Sequence, residues 1–196
     1  MFGLFKEKKS ENFAVIAFAS RIYFWAVENE TRVKGQFLGY RKAIAAEDVT
    51  DKPDGLLHAA VAHCLQAVFN LYPMPQAMRL RNKTYDAMQV MGDVEVFEFF
   101  MDAKNDPDRH LLQNDPNNIL YAIPVRLLEY WLGDNLSKAM VKIGDVELLS
   151  SLDMLFILEQ LAPVSDFWKN NIQKNYTLIE TSERIRDILV QKPPIR

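Results

Sequence analysis

Residues 13–27, FAVIAFASRIYFWAV, form the longest β-prone run in the chain, and whatever they become decides how the rest can pack. A membrane span needs about 20 apolar residues, and this run is shorter and carries Arg21 at its middle. A secretory leader is not expected either, since Glu28-Asn29-Glu30 directly after the run supplies no small-residue cleavage site. The run therefore reads as folded. Its Val, Ile, Phe, Tyr and Trp favour strands, with Glu28-Asn29-Glu30-Thr31 as a turn and 32–40 as a continuation carrying Val33 and Phe37. The expectation is a small N-terminal β-sheet over about 13–42. A helix competes, because Ala14, Ala17, Ala19 and Ala26 suit one and Gly35 could cap it.

The remainder reads mostly helical. Asp51, Pro53, Asp54 and Gly55 mark a loop ahead of a helix over 56–72. Its apolar stripe is Leu57, Val61, Cys64, Leu65, Val68 and Leu71, with His58, His63, Gln66 and Asn70 on the other side. Gly92-Asp93, Gly133-Asp134 and Gly144-Asp145 each set a left-handed residue before a capping one, the pattern of a helix-to-helix corner. On that pattern helices start at 94 and 146, the latter a buried one, and Pro124 lies in the first turn of a helix over 125–132. Thr177 and Glu180 have capping-box spacing ahead of a last helix carrying Leu178, Ile185, Ile188 and Leu189. Trp131 and Trp168 read as core, with interface anchors the alternative. The fold class is α+β and predominantly helical, the sheet over 13–42 packed against helices, with all-α as the alternative. The 196 residues read as one domain, 1–12 being a leader, with a subdivision into a mixed part over 13–91 and a helical part over 92–196.

A net charge of −3 argues against general nucleic-acid binding, which needs a basic surface. A lone cysteine, Cys64, excludes an intrachain disulfide and fits a reducing compartment, so the expected location is cytoplasmic. Local chemistry is sparse. His58 and His63 are five apart and diverge on a helix, unlike ligand pairs three or four apart. Asp102, Asp106 and Asp108 resemble a calcium loop until Pro107 and Gln113 fall where Gly and Glu belong. No phosphate loop, GxSxG or HExxH occurs, so no catalytic, metal or cofactor residue is assigned. Carboxylates assembled by folding, such as Glu47, Asp86 and Asp102, remain the route to a hydrolase. Arg79, Arg81 and Lys83 form a basic group suited to an anion or an acidic partner. Phe2, Leu4, Phe5, Lys8 and Lys9 form a sticky, basic leader suited to docking on a protein or touching a membrane surface over 1–9.

Gly3-Leu4-Phe5 with Lys6–Lys9, followed by a β-prone run, resembles the start of actin-like pilus-assembly proteins of the ribonuclease-H-like fold. In that resemblance 16–20 stands for the nucleotide-site turn, with Ala17 and Ala19 where the family has aspartate and glycine. It implies a scaffold that has lost its Mg-ATP chemistry. The expected function is a non-enzymatic adaptor or scaffold, in this resemblance a degenerate component of a bacterial pilus or secretion assembly. The alternatives are an all-α interaction module of immunity or chaperone type and the hydrolase. A protein partner is expected, and a homo-oligomer is left open.

Overall fold

Ser10 begins the architecture. Its hydroxyl accepts a hydrogen bond from the Phe13 N–H at 3.1 Å, with Glu11 in the first turn, and the chain runs helical from Glu11–Tyr40 as α1. In this computed structural model, which describes residues 6–91, 94–101, 122–143 and 146–191, α1 replaces the sheet expected over 13–42. The reason lies in spacing. Val15, Phe18, Ile22, Ala26, Val33 and Phe37 recur every three, four or seven residues and are buried as one face, a period only a helix satisfies. Aromatic and β-branched residues favour strands through packing on a pleated surface, and here a helical core meets the same need. The expected turn at 28–31 stays helical, with Asn29 Nδ2 donating to the Trp25 carbonyl at 2.7 Å. Residues 16–20, likened above to a nucleotide-site turn, lie inside this helix.

The chain is nevertheless α+β and predominantly helical. After α1 come α2 (Gly55–Leu71), α3 (Met74–Met91), α4 (Val94–Met101), α5 (Ala122–Leu132), α6 (Ser151–Ser165) and α7 (Ile185–Gln191). Among the described residues four short strands make two separate pairs. β1 (Glu7–Ser10) runs parallel to β4 (Tyr176–Ile179), with Glu7 opposite Tyr176 and Ser10 opposite Ile179, so the start of the chain is laced to its far end. β2 (Met140–Ile143) and β3 (Val146–Leu149) pair antiparallel. Two helix starts are therefore corrected. Gly144 and Asp145 separate two strands, a length and composition that suit a hairpin, and the helix begins only after Ser150. Thr177 and Leu178 lie in β4, and the last helix begins at Ile185. The Gly133 corner does take the left-handed conformation at φ +50 after α5, and leads into a 3-10 turn over Gly133–Ala139. Gly92-Asp93 and the aspartates over 102–108 lie outside the described residues.

α2 is the centre, packed on α1, α3, α4, α5 and α6. Residues 55–62 are all buried, His58 included. That histidine lies among the rings of Phe97 and Phe100 on α4, 6.3 and 6.4 Å away, not on a polar face. Asp54 at the start of α2 makes no side-chain cap, and Glu30 of α1 serves instead. Its Oε2 accepts from the Leu56 N–H at 2.8 Å and its Oε1 from Trp131 Nε1 at 3.2 Å, with Lys34 Nζ 3.3 Å away. Gly55 is needed here, because a Cβ would stand 2.7 Å from Tyr130 Cδ1. Trp131 and Trp168 are both fully buried, in keeping with the core reading. Among the described residues no helix is long and apolar enough to cross a membrane.

Candidate functional site

Two members of the basic group on α3, Arg79 and Lys83, contact other parts of the same chain. Glu11 is completely buried at the start of α1, and Arg79 reaches it with a forked contact, Nε at 3.2 Å from each carboxylate oxygen and Nη2 at 2.9 Å from Oε1. Arg79 Nη1 also lies 3.4 Å from Glu180. Lys83 Nζ donates to Asn12 Oδ1 at 2.7 Å and to the Thr181 carbonyl at 3.1 Å, while Asn12 Nδ2 donates to the Glu183 carbonyl at 2.9 Å. Arg81, on the same helix, is half-buried. This junction ties α1, α3 and the segment after β4 into one unit. The acidic side chains that Arg79 meets there, Glu11 and Glu180, belong to the same chain.

Two further polar groupings contain the residue types of reactive sites. His63 Nε2 lies 2.9 Å from Ser165 Oγ, across the α2–α6 contact. The Ser165 hydroxyl donates to the Leu161 carbonyl at 2.9 Å, so the histidine must donate to the serine, the reverse of what a general base does. Cys64 Sγ donates to the Val164 carbonyl at 3.2 Å, and burial pushes its thiol up to about 12, which removes the thiolate a nucleophile needs. At the other end of α1, Arg41 Nε lies 3.4 Å from the buried Asp153, and Lys138 pairs with Asp48. Burial raises the Asp153 carboxyl and Arg41 opposes it. The hydrogen bond from Lys138, joined by the Ala45 N–H, lowers Asp48. The first pair fastens the end of α1 to α6, and the second fastens the 3-10 turn over Ala46–Asp48 to the one after α5. Glu47 is exposed in a 3-10 turn, Asp86 is half-buried on α3, and Asp102 lies outside the described residues. Among the described residues no three His, Cys, Asp or Glu side chains converge to hold a metal.

The outward face of α1 is different in kind. Phe13, Ala17, Ser20, Phe24, Val27 and Thr31 are spaced four, three, four, three and four apart, so they form one row. Phe24 is 47% and Val27 58% exposed, opposite the buried face, and Tyr23 meets Phe24 edge-on at 5.8 Å. Ala17 and Ser20 make the row shallow between its two phenylalanines. Arg21 and Glu28 flank it, both exposed. At its N-terminal end Phe13 packs edge-on against Tyr176 at 5.5 Å, with Lys9 Nζ 5.1 Å above its ring. Lys9 and Lys8 are thus held in β1, Lys9 paired with Glu7 at 2.7 Å, and are not part of a free tail. Phe2, Leu4 and Phe5 lie outside the described residues.

Smaller exposed apolar pairs occur at Met74 and Met78 on α3 and at Leu152 and Leu155 on α6. The latter show that the helix expected as buried buries one face only. The row on α1 is invisible in the sequence while 13–42 is read as strands. Its signal is the alternating spacing of four and three, which emerges once the stretch is taken as a helix. Comparison with family models, with curated proteins and with solved structures found no match to this chain.

Proposed function

We propose that this chain is a non-enzymatic adaptor or scaffold that binds another polypeptide helix along the outward face of α1. The observation that carries this reading is the continuous row from Phe13 to Thr31, apolar at its large positions and shallow between them. An amphipathic partner helix is the natural occupant of such a row, since its own apolar stripe has the same repeat. The polar groups that invited a chemical reading lend support: Arg79, Lys83 and Glu30 are engaged in holding helices together, and Ser165 and Cys64 have the wrong proton arrangement for attack. The helical build favours an interaction module over an actin-like scaffold. The pilus setting retains only the Gly3-Leu4-Phe5 leader, which is outside the described residues.

The test is a photoreactive phenylalanine analogue placed at 24, with a second at the exposed Glu159 on α6 as control, each illuminated in the cell that makes the protein. A discrete cross-linked band from position 24 and none from 159 is the expected outcome. No band from 24, or the same band from both, would remove the reading.

A further inference from the structure

The row on α1 has a symmetry that names its occupant. Arg21 and Glu28 are opposite charges on one flank, seven residues or about 10 Å apart along the axis, and both are exposed. Their midpoint falls between residues 24 and 25. If a second α1 is laid antiparallel with a twofold axis through that midpoint, Arg21 of each copy faces Glu28 of the other, twice over. The same placement sets Phe24 beside Phe24 of the second copy and lets Val27 lie next to the small Ser20. A parallel twofold pairing would instead set the charged flanks of the two copies on opposite sides of the seam, where Arg21 of one does not meet Glu28 of the other.

We infer that the face of α1 is the contact between two copies of this chain, packed antiparallel about residues 24 and 25. This rests on the reading of α1 as a binding face and specifies its partner. An isologous contact needs a patch complementary to itself under rotation, and a row with an Arg and a Glu equidistant from its centre has that property. The four–three spacing matches the repeat of helices that cross at a shallow angle with side chains interleaved. The row is about 27 Å long from Phe13 to Thr31, several turns of contact on each copy.

Light scattering on size-separated full-length protein over a range of concentrations tests this, alongside Arg21→Glu, Glu28→Arg and the double variant carrying both. The wild type should pass from one to two chains per particle as concentration rises. Each single variant places like charges together and should weaken dimerisation by at least about tenfold, and the double variant should restore it because the pairing is merely reversed. Both side chains are exposed, and far-ultraviolet circular dichroism would verify that each variant keeps its helices. A wild type that stays monomeric throughout, single variants that dimerise as well as wild type, or a double variant that fails to recover would each overturn the inference. A band from position 24 that contains a different polypeptide would overturn it while leaving the adaptor reading standing. No band from 24 together with a monomeric wild type would remove both.

Discussion

α1 and α2 lie against each other, and the two treat their apolar residues in opposite ways. α2 is covered on every side over 55–62, so even His58 is drawn in. α1 buries Val15, Phe18, Ile22 and Phe37 on one side and leaves Phe24 and Val27 in the open on the other. The difference follows from position: the central helix has neighbours all round, and the outer one has a core on one side only. An aromatic on α2 is therefore evidence about the core, whereas an aromatic on the far side of α1 is evidence about what the molecule meets.

The most direct way to break this contrast is to remove equal kinds of atoms from each helix. Leu65→Ala in α2 opens a cavity where nothing can collapse inward cheaply, and should lower unfolding free energy by about 3 kcal/mol. Phe24→Ala removes a larger side chain from α1, yet in dilute solution it should change stability by less than about 0.5 kcal/mol. Urea unfolding followed by circular dichroism measures both. If Phe24→Ala costs as much as Leu65→Ala, the outer row is core after all and the binding face disappears.

A second prediction concerns how the two helices are joined. Glu30 caps α2 from α1, and the N-cap residue Asp54 makes no side-chain cap of its own. Glu30→Ala should cost about 2 kcal/mol, because it orphans the Leu56 N–H and the Trp131 indole N–H together. The loss would register as a lower urea midpoint, with an unchanged circular dichroism spectrum before the transition. A neutral result would mean that another acceptor replaces the carboxylate and that α1 is less tightly joined to the centre than its geometry indicates.

These features differ in how far the sequence reveals them. The α2 helix is legible because its stripe repeats cleanly and Pro73 ends it. In α1 residue type points to strands and spacing to a helix, and the spacing wins: Val15, Phe18 and Ile22 already carry the helical period. The β1–β4 pair joins residues some 170 positions apart, and no local signal announces such a pairing. The same distance hides the fate of Arg79 and Lys83: as letters they form a basic cluster, and only folding shows Glu11 and Asn12 in front of them. The Gly144-Asp145 pair suits both a helix corner and a hairpin, and only the antiparallel pairing of the strands on either side decides between them.

The smallest expected effect lies where α2 meets α6. Burial holds the His63 ring below its usual value of 6.5, and the geometry gives the reason. Nε2 already donates to Ser165, and the buried Nδ1 has no hydrogen-bond partner, so a second ring proton would enter without an acceptor. In the unfolded chain the ring takes up that proton as pH falls through 6.5, whereas in the folded chain it does so only at a lower pH. The unfolded state therefore binds more protons in that window, and stability must fall as pH drops below 6.5. The wild-type urea midpoint should decline between about pH 7.5 and 5.5, and His63→Gln should reduce that decline while keeping a donor for Ser165. An identical decline in the variant would assign the pH dependence to other titrating groups and remove His63 as a contributor to the covered helix's stability.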